Sequence, residues 1–450
     1  MKFFKNQIIE AEICDTNMLG FGVAKVDGAV LFVQNGVIGD VAKLRIIKCA
    51  KNYYVCRIEE LIVPSENRIE PLCPHFKTCG GCSFWHIRYD LEKDLKRRFV
   101  ETCLRREGLS EITVLSLLST DVQTGYRNKA QYPVQADEKG KVFCGFYSPR
   151  SHKLCKVEHC LIQDERFAPI TAFLCDFLEK YNILPYNEEA DRGLVRHIYL
   201  RCGKSSGEIS LCLVLRSNTF PRTEQLIGEI QEKFPQVVSV SFNIQPKKTN
   251  VILGEVTIPV YGKEKIVDVL CDKSFLISPQ SFYQVNHDAA ELLYTTAFQM
   301  ANLDRFDLVV DLYCGIGSIS LSMNTATPIV GVEIVPDAVD DAKTNAIRNG
   351  IYNAKFYCGD ASDAFRVIKT SGCDKPLVVV DPPRKGLSEK LITDISGNNI
   401  ENVLYISCNP ETMARDLKLF YNFGYVVNSV QPVDMFPRTS HVETVALLSR

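Results

Sequence analysis

The sequence predicts an α/β protein in three parts: an N-terminal small β-barrel, a central α+β region, and a C-terminal doubly wound parallel sheet. Three observations predict it. Residues 6–62 alternate short β-rich runs with turn pairs such as Asp27-Gly28 and Asn35-Gly36, and three cysteines crowd into residues 73–82. From about residue 266, apolar strands, Gly or acidic turns and amphipathic helices recur in βαβ order. At 450 residues, 46% hydrophobic and 24% charged, the chain has the balance of a folded multidomain protein. No apolar run reaches the ~18–20 residues of a membrane helix, and no signal-peptide core follows the N-terminal Met-Lys-Phe-Phe-Lys, so a cytoplasmic protein is expected.

The first part, residues 1–64, reads as five strands: Gln7–Ile13, Gly22–Val26, Ala29–Val33, Val41–Ile47 and Tyr53–Ile62. Five strands of this length suit a small OB-like barrel, a shape that often binds single-stranded nucleic acid without proving that it does. Charge points the same way. The chain is nearly neutral at −2, yet residues 1–160 carry net +5 and residues 161–450 net −7. Residues 65–265 form the second part. Its helix Tyr89–Arg106 carries Lys93, Lys96, Arg97, Arg98, Arg105 and Arg106, either as a solvated face or as phosphate contacts. Gly125-Tyr126-Arg127-Asn128-Lys129 combines basic and aromatic residues suited to gripping single-stranded RNA, or forms ordinary strand surface.

Most of the 18 cysteines read as small buried apolar residues with reduced thiols. Cys73-X5-Cys79-Gly-Gly-Cys82 departs from that pattern, because its glycines let the chain wrap a metal with three thiolates. A fourth ligand must come from elsewhere; Cys160 in His159-Cys160 is the candidate, with Cys144 and Cys155 nearby in sequence. Four thiolates suit zinc and iron-sulfur alike.

In the third part, residues 266–450, the apolar run Leu308-Val309-Val310-Asp311-Leu312 feeds into Tyr313-Cys314-Gly315-Ile316-Gly317 and a helix. Glycines at a strand-to-helix turn let a ligand approach the backbone, though the three-glycine dinucleotide pattern is missing. Glu333 follows 22 residues after Asp311, at the tip of the next strand, where a carboxylate can take both ribose hydroxyls. Asp360 and Asp381 end the following two strands, so four strand ends in succession are acidic. Cys408 ends the strand Val403–Ile406 just before Asn409-Pro410 and a helix, where a helix N-terminus favours a thiolate.

These residues resemble the S-adenosylmethionine-dependent methyltransferases, with Asp311–Gly317 as the cofactor loop of a Rossmann-like domain. More narrowly, Asp381-Pro382-Pro383-Arg384-Lys385-Gly386-Leu387, Ser407-Cys408-Asn409-Pro410 and His441-Val442-Glu443-Thr444 resemble the RNA (uracil-5-)-methyltransferase family along the whole chain. The resemblance implies a TRAM barrel, a [4Fe-4S] cluster on Cys73, Cys79, Cys82 and Cys160, and S-adenosyl-L-methionine held by Gln284, Tyr313, Glu333, Asp360 and Asp381. It implies Cys408 as nucleophile and Glu443 as proton-abstracting base. The implied substrate is RNA, with 23S ribosomal RNA favoured over transfer RNA, acted on by a monomer with no membrane partner.

The chemistry agrees. Carbon 5 of uracil is a poor nucleophile, and a thiolate added at carbon 6 turns the ring into an enolate that can attack a sulfonium methyl. An amino-directed methyltransferase is the runner-up, since acid-Pro-Pro-aromatic motifs hold exocyclic nitrogens; Arg384 in place of the aromatic residue, and a nucleophilic cysteine, argue against it. A metal-stapled RNA-binding factor with a vestigial cofactor fold is the non-enzyme alternative.

Overall fold

The computed structural model describes residues 2–151 and 153–450. The strands Ile8–Thr16, Phe21–Val26, Ala29–Gln34, Val41–Cys49 and Tyr54–Val63 close into a barrel, because the first pairs with both the second and the fourth. Alternate residues such as Ile13, Ala24, Leu31, Val33 and Leu44 fill its interior. The sequence placed all five strands within a few residues.

The central sheet has seven strands, from Val256–Gly262 at one edge through Val237–Ile244, Ile209–Leu215, Val195–Cys202, Lys129–Ala136 and Val142–Tyr147 to Leu154–Lys156. Helices Phe167–Lys180 and Thr223–Lys233 cover one face, with Leu174, Phe177, Leu226 and Ile230 in the shared core.

The third unit is an eight-stranded sheet. Its spatial order is Ala354–Cys358, Ile329–Glu333, Leu308–Leu312, Pro376–Val380, Asn402–Ser407, Glu443–Ser449, Val426–Val433 and Thr113–Val114. The first five run parallel, and Glu443–Ser449 lies antiparallel to both its neighbours. Both faces are buried, as a parallel sheet requires: Val309, Val379 and Leu404 enter one core, Val310, Val378 and Val403 the other. Strand order reverses between Leu308–Leu312 and Pro376–Val380, which opens a ligand crevice at their carboxyl ends.

Residues ahead of the central sheet complete this unit. Val100, Cys103, Leu104 and Ile112 pack into its core, and Thr113–Val114 extends its edge. Helix Tyr89–Arg106 is therefore part of the third unit's packing. Its basic side chains are mostly paired: Lys96 is fully buried between Glu92 and Asp434, each at 2.8 Å, and Arg98 contacts Asp15 and Asp94. Lys96 is thus neither a solvated charge nor a phosphate contact. Among the described residues no helix is long and apolar enough to cross a membrane.

Candidate active site

The carboxyl ends of the parallel strands open into a cavity of about 540 Å³, a volume suited to a nucleoside-sized ligand. Gln284, Tyr313, Glu333, Asp381, Cys408 and Glu443 all line it. Asp360 does not line it.

The cofactor-loop turn is strained and pinned. Tyr313 adopts φ 70°, rare for a residue with a side chain, and the Tyr313 and Cys314 amides donate to the Val332 carbonyl at 3.0 and 3.2 Å. Gly315 at φ 54° has open space where a Cβ would stand, so a ligand can reach its backbone. The Glu333 carboxylate accepts from the Gly315 amide at 3.2 Å and the Val335 amide at 3.0 Å, tying the strand tip to the loop. Asp311 lies fully buried beneath, takes a hydrogen bond from Ser320, and is pushed up to about 7 by burial. Asp381 is likewise pushed up to about 7 by burial and then by Asp311. Asp360 caps the short turn Ala361–Asp363, accepting from the Ser362 amide at 3.0 Å. Of the four strand-end acids it is the one that serves as a helix-type cap.

Gln284 sits in the loop before helix His287–Ala301, and its carbonyl accepts from Asn128 Nδ2 at 3.0 Å. Arg127 and Lys129, on either side of Asn128, line the same cavity. Burial, Arg201 and Arg127 push the Lys129 ammonium down to about 7.

Ser407 pairs with Thr444 at the end of the antiparallel ladder; Cys408 directly follows the one and Glu443 directly precedes the other. Asn409 caps helix Pro410–Asn422 through Oδ1 to the Glu411 amide at 3.1 Å, and its Nδ2 donates to the Arg384 carbonyl at 3.0 Å. One side chain thus joins the Cys408 turn to the Asp-Pro-Pro-Arg turn. Burial, then Glu443 and Asp381, push the Cys408 thiol up to about 11, while Arg384 opposes them. Glu443 is 2% exposed, and its Oε2 has no hydrogen-bond partner among the described residues. Burial and Asp381 hold this carboxyl well above the usual range. An unpartnered buried carboxyl beside a thiol is suited to moving a proton. Arg384 Nη2 lies 3.3 Å from His441 Nε2, and His441 meets Phe436 edge-on at 5.8 Å. Phe436 and His441 also line the cavity; His441 was visible in sequence only as part of the motif that carries Glu443, and no local signal marked Phe436.

Cys73, Cys79, Cys82 and Cys160 line a second cavity of about 230 Å³. The Gly81 amide donates to Cys79 Sγ at 3.4 Å, and nearby N–H groups of His75 and Phe76, of Trp85, and of Ile162 and Gln163 offset the rise that burial gives the Cys73, Cys82 and Cys160 thiols. Cys144 is buried in the core under helix Phe167–Lys180, away from this cavity. Among the described residues no three His, Cys, Asp or Glu side chains converge as a single metal ion needs. Arg127, Lys129 and Gln131 line both cavities and form a common wall.

A doubly wound sheet with an acid-tipped cofactor crevice and a thiol at its rim defines an S-adenosylmethionine-dependent methyltransferase. Residues 89–450 match the family described as tRNA (Uracil-5-)-methyltransferase, and the chain belongs to that family. It is 41% identical over 446 residues to an uncharacterized RNA methyltransferase of Halalkalibacterium halodurans, covering 99% of this chain and 97% of that one. Another, from Bacillus cereus, is 42% identical over 448 residues, with the same coverage. Among solved structures the chain resembles the Pyrococcus abyssi tRNA (uracil-54, C5)-methyltransferase in complex with S-adenosyl-L-homocysteine. The TM-score is 0.76 at 25% identity, covering 98% of this chain and 99% of that one.

Proposed function

We propose that this RNA methyltransferase places a methyl group on carbon 5 of a uridine through a covalent adduct between Cys408 and carbon 6. The observation that carries this reading is that Cys408 and Glu443, on either side of the ladder pair Ser407 and Thr444, line the same cavity as Glu333 and Asp381. The cosubstrate S-adenosyl-L-methionine supplies an electrophilic methyl on a sulfonium. The Cys408 thiolate adds to carbon 6, and carbon 5 of the resulting enolate takes that methyl as its bond to the sulfonium breaks and S-adenosylhomocysteine leaves. Glu443 then accepts the carbon-5 proton, the enolate re-forms, and the carbon-sulfur bond breaks to release Cys408.

Glu333, with Gln284 and Tyr313, is assigned to the cosubstrate, and Asp381 to the boundary between cosubstrate and base. Asp360 is assigned a second-tier part, ordering the turn beside Tyr313, whose hydroxyl it influences electrostatically. Arg127, whose buried Nε has no hydrogen-bond partner among the described residues, and Lys129 supply positive charge for RNA at the cavity wall.

For the cysteine cavity, the donor set fits an iron-sulfur group. Four thiols lining one space, at the spacing the family resemblance assigns to a cluster, are the basis for preferring it, with zinc as the alternative. Cys73, Cys79, Cys82 and Cys160 would hold a [4Fe-4S] cluster, which would supply structural support and no step of methyl transfer.

The N-terminal barrel is read as a TRAM module that adds RNA affinity, and 23S ribosomal RNA as the substrate, on the combination of barrel and cysteine cluster. The full-length likeness to a transfer-RNA enzyme favours transfer RNA as the second reading. Mapping 5-methyluridine in both RNA pools with and without the protein decides. Loss confined to large-subunit RNA supports the first reading, loss confined to transfer RNA the second, and no loss in either contradicts both.

A further inference from the structure

The segment that carries His441 and Glu443 takes its position from the cysteine-bearing end of the chain, and Arg438 is where the two meet. Arg438 is 4% exposed and adopts φ 68°, a left-handed conformation that a long side chain rarely holds. Its carbonyl accepts from the Ser83 and Phe84 amides at 2.8 and 3.1 Å, the two residues directly after Cys82. Its Nη1 donates back to the Phe84 and Ile87 carbonyls at 3.1 and 2.9 Å, and its Nη2 contacts Gln123. The guanidinium also lies 5.1 Å from the Trp85 ring centre and 5.3 Å from that of Tyr89.

The charges around it balance. Glu92 Oε1 accepts from the Arg438 amide at 2.7 Å and from Lys96, which also reaches Asp434 and the Phe436 carbonyl. Two acids and two bases are therefore buried together at the root of the segment. Downstream, His441 donates its amide to Thr439 Oγ1 at 3.3 Å, and Glu443 opens the last strand. Only four residues lie between Arg438 and Glu443, and both ends are held.

We propose that Arg438 is a positioning residue that holds the Phe436–Glu443 segment at the distance from Cys408 that proton removal needs, taking its own place from the turn after Cys82. The proposal rests on the reading of Glu443 as the base. In that step the carbon-5 proton passes to Glu443, the electron pair re-forms the enolate, and the Cys408 sulfur leaves carbon 6. Formation of the adduct and methyl transfer need Cys408 and the cosubstrate but not Glu443. A displaced segment therefore slows release selectively, and methylated enzyme-RNA adduct builds up.

The test uses the full-length protein with large-subunit or transfer RNA carrying tritium at uridine carbon 5, and S-adenosylmethionine with a labelled methyl. Arg438→Lys keeps the buried charge but lacks the planar fork that reaches both carbonyls. With enzyme in excess over RNA, so that a single turnover is read, its methyl incorporation is expected near that of the unaltered protein, with tritium release slower by about tenfold to a hundredfold, short of losing the base altogether. Gln123→Ala removes only the outer contact and leaves every charge in place; it shifts the same ratio in the same direction by less, and serves if the lysine variant does not fold. A parallel fall in methyl and tritium, or no change in their ratio in either variant, overturns the proposal. Glu443→Gln is the control: if it releases tritium normally, the assignment of the base fails, independently of Arg438.

Discussion

Cys408 and Glu443 flank the last ladder pair of two antiparallel strands, Ser407 with Thr444, and both line the crevice. The thiol and the carboxyl are thereby held at the ends of two paired strands, and Glu443 raises the proton affinity of the Cys408 thiol. Glu443→Gln should have two opposite effects. Turnover should fall by about a hundredfold or more, with methylated adduct accumulating, since general-base removal costs that much. The Cys408 thiol should meanwhile titrate at lower pH. Its position at about 11 is raised by burial first and by Glu443 next, so losing that carboxylate brings the midpoint down. Thiolate content rises as pH rises through the midpoint, so alkylation by iodoacetamide measured against pH should shift toward neutral. An unchanged or higher midpoint contradicts the coupling.

Glu333 and Asp360 both end strands, yet one lines the cavity and the other caps a turn. Glu333→Ala should weaken S-adenosylhomocysteine binding by about tenfold or more, the cost of losing a charged hydrogen-bonding group. Asp360→Ala should cost about 1 kcal/mol of stability as a lost cap, with a smaller effect on binding. Calorimetric titration and denaturation of the two variants separate these roles. Equal effects on binding would place Asp360 on a par with Glu333.

Lys96 is a stability determinant rather than an RNA contact. It is fully buried with Glu92 and Asp434, and Lys96→Met leaves two acids sharing one base. The expected loss is about 3–5 kcal/mol in chemical denaturation, little changed by salt. A loss below about 1 kcal/mol would mean the pair is solvated like a surface bridge.

The cysteine cavity predicts a removable group. Protein prepared without oxygen should carry iron and inorganic sulfide with broad visible absorbance, and Cys160→Ser should lose it. Because Arg127 and Lys129 wall both cavities, RNA affinity should fall on removal while S-adenosylhomocysteine affinity holds. A colourless preparation with stoichiometric zinc contradicts the cluster assignment.

The barrel and the parallel sheet were legible because their signals are local. Turn pairs bound the barrel strands, and continuous runs such as Leu377–Val380 announce a strand buried on both faces. Cys408 was legible from its strand end and helix cap, and Glu443 only through the family motif. The network of Glu92, Lys96, Asp434 and Arg438 was not legible, since its partners lie more than 300 residues apart and look like a charged helix face and a loop. Asp360 shows the limit of a local signal: an acid after a strand tip suits a ribose and a cap equally, and the reciprocal contact with Asp363 could not be read from sequence.

RNA containing 5-fluorouridine tests the central claim most directly, because fluorine cannot leave as a proton does and the thioether is arrested. With cosubstrate present, the protein should form a denaturant-stable complex, and mass spectrometry should find the nucleotide on the peptide spanning Ser407 to Pro410. Efficient methylation of ordinary RNA with no such linkage at Cys408 would contradict the account.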